Sequence, residues 1–235
     1  EDKGWLPDLD QLRRLIRPNT KMICINNANN PTGALMDASY LKELVAIAKE
    51  VGAYIFSDEV YRSFDHPAPS IVDLYDKGIT VNSLSKTYSI PGIRVGWVAS
   101  NAEVASILRD YRDYTMICAG VFDDIVATLV LKNKEAILER NRKIVRENIA
   151  LMDAWIADEP KASWIRPASV STSFVKLEVP RPIEDFALEL LQDYGVLIVP
   201  GNRFDKESHV RIGYCCDKEV LQKGLEKLSQ FLHKC

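Results

Sequence analysis

The chain has 235 residues, 47% hydrophobic and 27% charged, enough to bury a core and a size that fits one domain plus part of another. Its 30 Lys and Arg against 33 Asp and Glu give a net charge of -3, which leaves no basic excess for a phosphate backbone, so no nucleic acid partner is expected. No apolar run nears the ~20 residues that cross a bilayer, and Glu1 to Trp5 lack a basic-then-apolar leader pattern, so no membrane partner and a cytoplasmic location are expected. Five scattered cysteines, with only Cys215 and Cys216 adjacent, make no disulfide framework. His66, His209 and His233 have no metal-ligand spacing, so no metal is expected.

In chain order, Leu9, Leu12 and Leu15 or Ile16 line one side of a short helix, ended by Pro18-Asn19. Residues 22–25 form a short buried strand running into the turn-forming Asn26-Asn27-Ala28-Asn29-Asn30-Pro31-Thr32-Gly33. Asp37 caps a helix with Leu41, Leu44, Val45 and Ala48 at helical spacing, stopping near Gly52. Strands follow at 53–56, ending at Asp58, at 79–84, ending at Lys86, and at 95–99. Alternating strands and helices predict an α/β fold, a mostly parallel sheet with helices on both faces. In such sheets ligands gather beyond the carboxyl ends of the strands. Asn30, Asp58 and Lys86 all fall there.

From Asn101 the chain turns helical, first with Val104, Ile107, Leu108 and Tyr111 on one face, then through a long segment over 134–158. Beyond Pro160 the pattern becomes α+β, with strands at 173–179, 196–199 and 209–214, a helix at 183–194, and a final helix carrying Leu221, Leu225, Leu228 and Leu232. The expected division is a partial large domain over 1–134 and a small α+β domain over 135–235.

Three polar clusters stand at strand ends: Asn29-Asn30-Pro31-Thr32-Gly33, Ser57-Asp58-Glu59-Val60-Tyr61, and Ser83-Leu84-Ser85-Lys86-Thr87-Tyr88-Ser89-Ile90-Pro91-Gly92-Ile93-Arg94-Val95-Gly96. A lysine after an apolar strand and a hydroxyl run, followed by an arginine, points to an amine used covalently beside a bound anion. The identity and spacing of the three clusters resemble the class I/II aminotransferases, fold type I enzymes of the aspartate aminotransferase superfamily that use pyridoxal 5'-phosphate (PLP). The resemblance implies that Lys86 forms a Schiff base with PLP and that Asp58 pairs with its pyridine nitrogen, keeping the ring protonated. It implies that Tyr61 and Asn30 donate hydrogen bonds to the ring's phenolic oxygen, and that Ser83, Ser85 and Arg94 hold the phosphate. It makes Arg211, in Val210-Arg211-Ile212-Gly213-Tyr214, the fork for a substrate α-carboxylate. Each residue also has a plainer reading: Asp58 as a helix cap, Asn30 as a turn residue, Tyr61 as core, Lys86 as a solvated surface lysine.

The resemblance makes amino acids and 2-oxo acids the expected substrates, amino-group transfer the expected reaction, and a homodimer the expected full-length assembly. It also covers a pattern whose N-terminal section, with a glycine-containing phosphate loop and an aromatic stacked on the cofactor, is not found here, so an N-terminally truncated chain is expected. Two alternatives share the same residues: a PLP-dependent lyase or cyclase, and a non-catalytic effector-binding domain of a transcription regulator. The Ser-x-x-Lys of Ser83 to Lys86 also fits penicillin-recognising acyl enzymes, but the Ser-Asp-Asn and Lys-Thr-Gly elements of that family are missing.

Overall fold

The computed structural model describes residues 1–168 and 170–234. A short helix, α1 (Leu9–Leu15), begins at Asp8, whose carboxylate accepts the N–H groups of Asp10 and Gln11. Leu15 points to solvent, and Ile16 is the residue that packs inward. The first sheet holds β1 (Met22–Asn26), β2 (Tyr54–Asp58), β3 (Gly78–Ser83) and β4 (Gly96–Ala99) in the order β1-β2-β3-β4. The first three strands are parallel, and β4 returns antiparallel to β3. Between β1 and β2 runs α2 (Ala38–Val51), capped by the Asp37 carboxylate on Tyr40 N–H. Its Leu41, Leu44, Val45 and Ala48 bury against Ile23 and Ile55 of one sheet face, each large side chain contributing about 1.5–3 kcal/mol.

Two helices follow, α3 (Ala102–Arg112) and α4 (Val121–Lys132). The face of α3 expected from its periodicity exists, but Ile107, Leu108 and Tyr111 lie exposed. The long α5 (Lys134–Asp158) touches both halves. Its Ile137 packs near Leu84, Ala127 and Val130, while Val145, Ile149 and Met152 belong to the core of a second sheet. That sheet, β5 (Ala162–Trp164), β6 (Thr172–Leu177), β7 (Val199–Pro200) and β8 (His209–Gly213), is antiparallel in the order β5-β6-β8-β7. Helices α6 (Ile183–Tyr194) and α7 (Lys218–Lys234) cover it with Phe186, Leu190, Leu225, Leu228 and Phe231. The strand expected at 196–199 is only Val199–Pro200, because Leu197 turns outward and Pro200 has no N–H for the ladder.

Side-chain amides tie the loops at the carboxyl ends of β1, β2 and β3. Asn26 donates Nδ2 to the Asp58 carbonyl at 3.1 Å and accepts the Asn30 N–H at 2.7 Å. Ala28 N–H reaches the Tyr61 carbonyl, 2.7 Å away. The Thr87 hydroxyl donates to the Val60 carbonyl and accepts the Arg62 N–H, each at 3.1 Å. From α5, Asn141 donates to the Thr87 carbonyl at 2.9 Å, and Asn148 donates to the carbonyls of Tyr214 and Cys216.

Gly33 joins the first loop to the second half. Its carbonyl accepts the Ala168 N–H, its φ is +71°, and a Cβ there would stand 2.4 Å from Pro167 Cβ. Gly33→Ala is expected to destabilise the chain by about 2–4 kcal/mol, from left-handed strain plus overpacking, read as a lower urea midpoint. His209 provides a pH-dependent contribution. It is buried, stacked on Phe174 at 4.8 Å, with Nε2 2.9 Å from Glu1 Oε1 and Nδ1 beside the Ser208 hydroxyl. Burial lowers its pKa from 6.5, Glu1 opposes that shift, and Lys206 and Lys176 add to it. The unfolded chain therefore takes up this proton first, and the stability linked to His209 is lost as pH falls below about 6.5. Between pH of about 7.5 and about 5.5, His209→Gln is expected to lose less of its unfolding midpoint than the unsubstituted chain.

Candidate active site

Lys86 lies three residues beyond β3, in a loop whose turn is closed by the Ser89 N–H on the Lys86 carbonyl. Its Nζ stands over the Tyr61 ring, 5.6 Å from the centroid, and makes no ion pair among the described residues. It faces a cavity of about 490 Å³ that lies between the two halves and is also lined by Ser89, Asn141, Ser171 and Cys216. An exposed amine with no carboxylate holding it is open to a carbonyl ligand.

Asp58 closes β2, half-buried. Its Oδ1 accepts the Val60 N–H at 3.0 Å, a turn contact and not the helix cap of the plainer reading, since residues 59–63 form no helix, while Oδ2 takes no hydrogen bond among the described residues. One carboxylate oxygen thus fixes the loop and the other stays available. The Tyr61 hydroxyl likewise has no partner among the described residues, although its backbone carbonyl is fixed by Ala28.

The hydroxyl run after β3 forms a small anion cradle. Ser83 Oγ accepts the Ser85 N–H at 3.2 Å, and Arg94 Nη1 lies 3.4 Å from Ser85 Oγ. Arg94 adopts φ +51°, which turns its side chain back over the loop, and its guanidinium also donates to the Pro91 carbonyl. Two hydroxyls and an exposed guanidinium suit a phosphate.

Arg211 arrives from β8 of the second sheet. Its Nη1 donates to Asn30 Oδ1 at 3.1 Å across 181 residues of sequence, which leaves Asn30 Nδ2 free to donate elsewhere. Arg166 and Arg203 are not in the site: Arg166 pairs with Asp153 at 2.9 Å and Arg203 with Glu184.

The structure therefore gathers Lys86 with Tyr61, Ser83 and Ser85 with Arg94, and Asn30 with Arg211, with Asp58 linked to the Asn30 loop through Asn26. The donor set fits PLP: an unpaired amine, a free carboxylate oxygen, two available hydrogen-bond donors and an anion cradle. Asn26, Thr87 and Asn141 escaped sequence reasoning. For Asn26 the signal was there, as a polar residue ending an apolar strand, but it was lost beside the neighbouring Asn27, Asn29 and Asn30.

A family described as Aminotransferase class I and II matches residues 1–228. A solved PLP-dependent aminotransferase from Streptococcus suis 89-1591 superposes with a TM-score of 0.98 and is 68% identical, over 100% of this chain and 63% of that one. Among curated proteins, the aspartate aminotransferase of Pyrococcus horikoshii is 30% identical over 99% of this chain and 62% of its own length. The capreomycidine synthase of Streptomyces vinaceus is 28% identical over 98% and 60%. The chain thus spans about three fifths of the length of these relatives. With its sequence matched almost throughout, the chain belongs to the class I and II aminotransferases, a PLP-dependent family.

Proposed function

We propose that the protein is an enzyme that transfers an amino group between an amino acid and a 2-oxo acid with PLP as cofactor. The observation that carries this reading is the convergence of three strand ends, Asn30 after β1, Asp58 and Tyr61 after β2 and Lys86 after β3, with Arg211, which the second sheet delivers onto Asn30. When bound, PLP supplies an aldehyde that condenses with amines and a ring that takes up electrons released at the substrate α-carbon.

The chain's own residues do the rest. Lys86 Nζ is the attachment amine and, once released, the base that moves a proton at the α-carbon. Asp58 Oδ2 holds a proton on the ring nitrogen; at ~4 Å and an effective dielectric of about 20 that attraction is about 4 kcal/mol. Tyr61 Oη and Asn30 Nδ2 donate to the ring oxygen, while Ser83, Ser85 and Arg94 hold the phosphate. Arg211 grips the substrate carboxylate, its fork oriented by Asn30. In the same reading, residues 1–134 and 135–235 form two domains that meet at this site, and the enzyme is a cytoplasmic homodimer. The exposed Tyr114, Val121 and Phe122, at 86%, 74% and 84%, support an interface on the α3–α4 side. The four described cysteines are free, which agrees with a reducing compartment.

The test is a panel of amino acids with pyruvate or 2-oxoglutarate as acceptor, using the full-length protein loaded with PLP. Transfer is expected with at least one pair. Lys86→Ala is expected to lower its rate by about 10³-fold or more. Arg211→Ala is expected to raise KM about 100-fold by removing a charge-assisted fork. Undiminished turnover in Lys86→Ala, or 2-oxo acid produced without any acceptor, contradicts the reading.

A further inference from the structure

We infer that Phe204 is a positioning residue for Arg211: its ring backs one face of the guanidinium and fixes the plane in which the fork is presented. This inference rests on the reading of Arg211 as the carboxylate-binding residue.

The Arg211 guanidinium carbon lies 5.6 Å from the centre of the Phe204 ring. An arginine on an exposed strand samples many rotamers, and each must be given up when a carboxylate binds. Here two contacts remove that freedom beforehand. Asn30 Oδ1 takes one N–H, fixing one corner of the fork, and the aromatic ring lies against the guanidinium by a cation–π contact. A single hydrogen bond leaves the guanidinium free to rotate about it. The ring supplies the second constraint.

Phe204 is itself held firmly. It ends a 3₁₀ turn over Gly201–Phe204 that joins β7 to the approach to β8. Gly201 is required there, because a Cβ would stand 2.2 Å from the Lys206 carbonyl oxygen and 2.3 Å from that of His209. The turn is pinned to α6 by Asn202 Nδ2 on Glu184 Oε2 at 2.7 Å and by the Arg203–Glu184 pair. Beneath the ring, Phe174 meets Phe204 edge-on at 5.8 Å and an interplanar angle of 83°, and Trp5 meets Phe174 at 5.7 Å. The chain of contacts Trp5–Phe174–Phe204–Arg211 thus ties the substrate residue to the buried Phe174 of β6. An aliphatic side chain at this turn would offer neither a π face to the guanidinium nor a T-shaped contact to Phe174.

The experiment uses the full-length protein loaded with PLP, and measures modification of Arg211 by phenylglyoxal through peptide mass mapping, with pyruvate as the competing carboxylate. Phe204→Ala is compared with Phe204→Leu and Phe204→Tyr, each checked for unchanged near-ultraviolet circular dichroism. In the unsubstituted protein pyruvate is expected to protect Arg211. The pyruvate needed for half protection is expected to rise about tenfold in Phe204→Ala and Phe204→Leu, and to return to its original value in Phe204→Tyr. If Phe204→Ala fails to fold, Phe204→Leu carries the comparison. Equal protection in the unsubstituted protein and in Phe204→Leu overturns the role of Phe204 while leaving Arg211 as the carboxylate residue. No protection in any of them overturns the assignment of Arg211, and the present inference with it.

Discussion

The site depends on how the backbone polar groups at the ends of three parallel strands are satisfied. A parallel strand that stops leaves N–H and C=O groups pointing at the next loop, and leaving one unpaired in a part-buried place costs about 1–3 kcal/mol. Here Asn26, the last residue of β1, and Asn27 and Thr87 in the loops fill those vacancies. Asn27 both donates to and accepts from the backbone of Met36, and its own N–H goes to the Asp58 carbonyl. The loops cannot move independently without breaking such a bond. Asp58, Tyr61 and Lys86 are therefore fixed relative to one another before any ligand arrives.

Two further ties bring in the second half of the chain. Asn141 and Asn148, both buried on α5, donate to the loop after Lys86 and to the loop after β8 respectively. A buried amide inside a helix costs burial energy unless both its ends are used. In α5 these two residues spend their donors on loops from opposite halves, so the helix registers one against the other. The Arg211–Asn30 contact then places the cation of the second sheet at the mouth of the first. In the proposed site, Lys86, Arg94 and Arg211 would present positive groups and Asp58 a negative one. That balance favours a ligand with more than one anionic group and a protonated ring nitrogen.

Much of this was legible in the sequence because the relevant signals are local. Apolar runs of four to six residues ending in Asp58 and Lys86 located the strands, and Asp37 and Gly52 bounded α2 at the residues that cap it. The three polar clusters carried the resemblance and held Asn30, Asp58, Tyr61, Ser83, Ser85, Lys86 and Arg94, while Arg211 came from a separate stretch. What remained hidden is non-local. Helix α4 is apolar nearly all round, so its periodicity offers no face, and β5 is three residues long. Asn141 and Asn148 look like ordinary polar positions on a long helix until the loops they bind are seen. Phe204 carries no signal of its contact, since nothing in a one-dimensional sequence shows a ring lying against a guanidinium. The bound on α1 illustrates the same limit: Leu15 and Ile16 are equally apolar, and only packing decides that Ile16 faces the core.

The central claim is that strand-end geometry selects one amine among the many lysines of the chain for a carbonyl cofactor. Its most direct test is to add PLP to the purified protein, reduce with borohydride, and map the modified lysines by peptide mass analysis. The account predicts a single stoichiometric adduct on Lys86. Adducts scattered over surface lysines, with Lys86 no more modified than the rest, would contradict it.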